Sequence, residues 1–118
     1  MGIDMLHYRY QEPAKWQLQE FAKLATMTDF LKSEYRPFTA IANEAVRRGI
    51  IKEENKSRLY DCFTACTRRI DVFDGSFYPS DQTPTGKSRW EWRLKPNITK
   101  ESFEKEVKDY IREHFKTP

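Results

Sequence analysis

The chain has 118 residues, 38% of them hydrophobic, 14% aromatic and 33% charged, with a formal net charge of +3. That length holds one compact domain around one core, and the aromatic content excludes an intrinsically disordered polymer. No apolar run approaches the ~20 residues of a membrane span, and the start of the chain has neither the apolar stretch of a secretory leader nor the hydroxyl residue of a myristoylation signal, so a cytoplasmic, reducing location is expected.

Residues 1–13 read as an irregular N-terminal arm with Leu6, Tyr8 and Tyr10, ending at Pro13. The body of the domain spans 14–95 and opens with a helix from about Ala14 to Ser33, on which Trp16, Leu24, Met27 and Leu31 form the apolar stripe. Pro37 ends it, because the residue before a proline avoids helical geometry. The second helix is short. Thr39 is its expected N-cap, Phe38, Ile41, Ala42, Ala45 and Val46 its buried side, Arg47 and Arg48 its last turn, and Gly49 its stop. A third helix, from about Glu53 to Arg69, places Leu59, Phe63, Cys66 and then Ile70 on one side, and Ser57, Asp61, Thr64 and Arg68 on the other.

At residue 70 the apolar period changes from helical to alternating. "RIDVFDG" and "SRWEWRL" predict two antiparallel strands, joined by the long Pro-, Ser- and Thr-rich loop "SFYPSDQTPTGK". Trp90 and Trp92, two apart on one strand, are expected to cover the core; the alternative is an exposed platform that stacks single-stranded bases. Residues 96–118 form a last helix capped by Thr99, with Ile98, Phe103, Val107, Tyr110 or Ile111, and Phe115 packed on the same domain. Three helices followed by a hairpin, plus one added helix, make an α+β, mainly α chain in the order of a winged helix-turn-helix.

Charge is uneven along this frame. Residues 47–69 hold seven bases (Arg47, Arg48, Lys52, Lys56, Arg58, Arg68, Arg69) against three acids (Glu53, Glu54, Asp61), a local +4. In a helix-turn-helix the third helix enters the major groove while flanking bases grip phosphate. That arrangement assigns Arg58, Thr64 and Arg68 to base edges, Lys56, Ser57, Arg47 and Arg48 to phosphates, and the wing residues Lys87 and Arg89 to an adjacent groove. Asp61, in the middle of the reading face, opposes phosphate. The competing expectation is a protein-interaction module, dimeric or inhibitory toward a partner protein, that uses Phe77 and Tyr78 at the wing tip.

Other chemistries find little support. "TPTGKS" contains the Gly-Lys-Ser of a phosphate-binding loop, but Asp81 stands where the first glycine belongs and a strand, not a helix, follows. Cys62 and Cys66 lie four apart on the third helix, two potential ligands where zinc needs four, and both fall near the core stripe; neither a metal, a cofactor nor a disulfide framework is expected. No histidine accompanies a nucleophile, so the chain is expected to bind rather than catalyse.

The segment "AIANEAVRRGIIK" (40–52) resembles the second helix and turn of HARE-type winged-helix domains, with Ile41, Ala42, Ala45, Arg48, Gly49 and Ile51 on the pattern. "RLYDCFTACTRRIDVF" and "RWEWRL" are similar to that family's third helix and wing, so the resemblance covers about residues 16–94. It departs in the short approach to Ile41 and in the long wing loop. The resemblance implies a non-catalytic winged helix associated with DNA or transcription machinery.

Overall fold

A computed structural model describes residues 12–115, so the expected arm at 1–13 lies almost wholly outside the described residues. The chain is mainly helical, with a small antiparallel sheet: α1 (Lys15–Ala22), a 3-10 segment (Lys23–Met27), α2 (Thr28–Ser33), β1 (Arg36–Pro37), α3 (Phe38–Arg47), α4 (Lys56–Thr67), β2 (Phe73–Tyr78), β3 (Arg89–Leu94) and α5 (Lys100–His114). β3 lies in the centre of the sheet, with β1 on one side and β2 on the outer edge.

The first helix is not continuous. Between Ala22 and Thr28 the chain tightens to a 3-10 turn. Three residues per turn puts Phe21, Leu24 and Met27 in line, all fully buried, while the Thr26 hydroxyl donates to the Lys23 carbonyl and competes with helical pairing. Leu18, Phe21 and Ala25 join the stripe, and Trp16 does not: it is 42% exposed. A second departure lies at Arg36–Pro37, which pairs with β3 (Arg36 with Trp92, Pro37 with Glu91). α3 therefore starts at Phe38 with extended Pro37 at its N-cap, two residues ahead of the expected Thr39.

α3 ends as expected. Gly49 takes φ +75°, its N–H donating to the Val46 carbonyl and that of Ile50 to Ala45, a full Schellman stop. α4 buries Leu59, Cys62, Phe63 and Cys66, followed by Ile70, and turns Ser57, Asp61 and Arg68 to solvent. α5 is capped reciprocally by Thr99 and Ser102, and Phe103 and Val107 enter the same core as Phe21, Phe63 and Leu94. Phe115, past the helix end, is 40% exposed instead of completing the stripe.

The hairpin is shifted along the sequence. Ile70 and Val72 are buried in the turn ahead of β2, and β2 itself runs to Tyr78, so Phe77 and Tyr78 are strand residues and not loop tip. The register sets Phe73 opposite Leu94, Gly75 opposite Trp92 and Phe77 opposite Trp90. The loop is accordingly shorter than expected, and Gly86 at φ +72° turns it back into β3.

Candidate nucleic-acid interface

The helix period sorts the polar residues of α4. At about 100° per residue, Ser57, Asp61, Thr64 and Arg68 share the side opposite the core, whereas Arg58, Ala65 and Arg69 lie on the border facing α1. Contacts agree: the Arg58 guanidinium sits 4.4 Å from the Trp16 ring centre, and Arg69 reaches Glu12 at 3.7 Å. Arg58 is thus held along α1, away from Thr64 and Arg68, and the exposure of Trp16 is explained by the cation it carries. Thr64 donates its hydroxyl to the Asp61 carbonyl at 3.1 Å. Tyr60, on the opposite border, is 51% exposed and packs edge-on to Phe38 at 5.2 Å.

The bases at the end of α3 are clamped. Glu44 receives Arg47 Nε at 2.8 Å and Arg48 Nε at 2.7 Å, and Arg48 also donates through both terminal nitrogens to Asp29 at 3.0 Å each. These guanidinium groups hold the Glu44 carboxyl down at about 2, and Arg48 holds that of Asp29 below the usual carboxylate range. Arg48 therefore ties α2 to α3. Lys56 pairs with Glu53 at 2.9 Å, and Arg89 with Glu91 at 2.7 Å. The local +4 read from residues 47–69 is met in space by Asp29, Glu44 and Glu12, three acids outside that window.

Lys87 is exposed on the wing and makes no ion pair among the described residues. The structure thus brings Ser57, Thr64 and Arg68 onto one outward face, but directs Arg58 to α1 and Arg47 and Arg48 to carboxylates.

A feature that alternation alone did not separate is the behaviour of the two tryptophans. Trp92 packs edge-on to Phe63 at 5.3 Å, whereas Trp90 is 52% exposed and stacks on Trp92, with centroids 5.6 Å apart and planes at 20°. Phe77, 49% exposed, touches the Trp90 ring at 5.3 Å. Through Phe38 and Phe63, 5.1 Å apart, rings run in contact from Tyr60 on α4 to the outer end of the hairpin. The expectation that both tryptophans cover the core holds for Trp92, which meets Phe63 of α4, and fails for Trp90, whose ring contacts are with Trp92 and Phe77 of the hairpin itself. Tyr78 points to the other face, its ring 5.7 Å from the Arg89 guanidinium.

Cys62 and Cys66 are free, buried thiols, pushed up by burial to about 11 and about 12. Among the described residues no group of His, Cys, Asp and Glu is arranged to hold a metal, and no helix is long and apolar enough to cross a membrane. Comparison with known proteins gave no matching family model, no matching characterised protein and no matching solved structure.

Proposed function

We propose that the chain is a winged-helix module that binds nucleic acid without catalysing a reaction, as DNA-binding proteins and transcription-associated adaptors do. The observation that carries this reading is topological. Helix, short strand, two helices and a hairpin, with the first strand against the last, follow the element order of a winged helix, in which the helix before the hairpin offers its outward face to a groove. Ser57, Thr64 and Arg68 are the α4 side chains offered to a groove, and Lys87 extends the contact along the wing. The positions that resemble HARE-type domains support the fold more than the ligand, since Ile41, Ala42, Ala45 and Ile51 are core residues and Gly49 is a helix stop.

Ion pairing of Arg47, Arg48, Lys56 and Arg89 limits the phosphate charge this surface neutralises, so a shallow dependence of affinity on salt is expected. Binding of a mixed-sequence duplex, titrated with NaCl, tests the reading: Arg68→Ala and Lys87→Ala should each flatten the log–log slope by about one. Unchanged slopes in both variants would remove the electrostatic contact.

A second reading, a protein-docking module, is favoured by one observation, the exposed Phe77–Trp90 pair. Co-purification of a stoichiometric protein partner that Phe77→Ser abolishes would support it.

A further inference from the structure

We propose that the outer end of the hairpin's aromatic column, Trp90 with Phe77, is a stacking site for an unpaired base of single-stranded nucleic acid. This rests on the nucleic-acid reading above and names the form of ligand the wing takes.

Three features converge on these rings. The first is that the exposure is built into the register. Successive pairs on one face of the hairpin run from Phe73–Leu94 in the core, through Gly75–Trp92 at its margin, to Phe77–Trp90 in water. Two large aromatic side chains end this series half-exposed, where they contribute little to the core that Phe73 and Leu94 already close.

Second, the rings are ordered before any ligand arrives. Trp92 is fixed edge-on against Phe63 and lies across Gly75, where a Cβ would come within 2.8 Å of its Cζ3. Trp90 stacks nearly parallel on Trp92, and Phe77 leans on it at 55°. A base added to this column pays little to order its platform.

Third, a cation stands in the adjoining loop: Lys87, three residues ahead of Trp90, is exposed and makes no ion pair among the described residues, whereas Arg89 lies toward Tyr78 and Glu91 on the opposite face. Aromatic faces interleaved with basic residues are the means by which proteins hold single strands, the bases on the rings and the phosphates along the cations. Bases inside a duplex offer edges to a groove and keep their faces stacked on one another, so this column has nothing to stack on in intact duplex. A single strand fits better, and the carboxylates that occupy Arg47 and Arg48 weigh against a long duplex backbone contact.

The test uses the full chain and two fluorescently labelled probes: an oligothymidylate of about twelve nucleotides and a mixed-sequence duplex of equal length, followed by anisotropy. Trp90→Ala should weaken the single strand about ten-fold or more, Trp90→Phe should retain most of the affinity, and neither should change duplex binding by more than about two-fold. Phe77→Ala provides the same contrast if Trp90→Ala fails to fold, which the far-UV spectrum reports. Equal losses on both probes, or none on either, would overturn the stacking site and leave the winged-helix reading standing. If the wild-type chain bound neither probe, both readings would fall and the protein-docking one would take their place.

Discussion

Gly75→Ala is the smallest change that tests how the hairpin holds its tryptophans. An alanine Cβ at this position would lie 2.8 Å from Trp92 Cζ3, 3.2 Å from Trp92 Cε3 and 3.3 Å from Trp90 Cε3. All three atoms belong to rings that are themselves supported, Trp92 by Phe63 and Trp90 by Trp92 and Phe77, so neither ring can step aside alone. Removing a glycine from a strand contributes about 0.5–1 kcal/mol in favour of alanine, whereas forcing a methyl into packed rings costs about 1–3 kcal/mol. The net expectation is destabilisation by about 1 kcal/mol, which for a chain of this size is a drop of about 4 °C in Tm. Thermal unfolding followed by far-UV circular dichroism measures the drop. The near-UV spectrum should change with it, because the coupled tryptophan pair is what yields. A variant as stable as the parent, with an unchanged near-UV spectrum, would refute the close approach of Trp92 to the strand.

Two further predictions concern ionisation. Glu44 is held at about 2 by Arg47 and Arg48, below its ordinary 4.5, so the unfolded chain binds the proton more tightly than the folded one. The stability from this group is complete above about pH 4.5 and is lost as pH falls toward 2; Glu44→Gln should flatten the decline of Tm across that window and lower Tm at neutral pH. The thiols of Cys62 and Cys66, pushed up to about 11 and about 12 by burial, should react with a disulfide reagent at pH 8 only as fast as the chain opens, and at once in denaturant.

The two sides of α4 were legible in the sequence because helical spacing is a local property: Leu59, Phe63 and Ile70 point inward and Arg68 outward as their intervals require. The Gly49 stop and the Thr99 cap were legible for the same reason. What local spacing did not contain was pairing across the chain. The two residues of β1 become a strand only because β3 lies beside them, and β2 extends to Tyr78 because Trp90 and Arg89 stand opposite. Charge behaved likewise. A window over residues 47–69 counts Arg48 as an available cation, but Asp29, nineteen residues back, closes on it in the folded chain. The separate fates of Trp90 and Trp92 depended on where Phe63 of α4 meets the sheet, which alternation along β3 does not encode.

The junction between α3 and α4 has a mechanical consequence. Gly49 ends α3 with two backbone hydrogen bonds, and the residue just before it carries the guanidinium fastened to Asp29 and Glu44. Swinging the chain past Gly49 means opening this stop, and pulling α3 from α2 means parting these charges, so the end of α3 is held from both directions. A displacement of α3 therefore pulls on α2 through Arg48 and Asp29, and with it on Leu31, which α2 buries in the core.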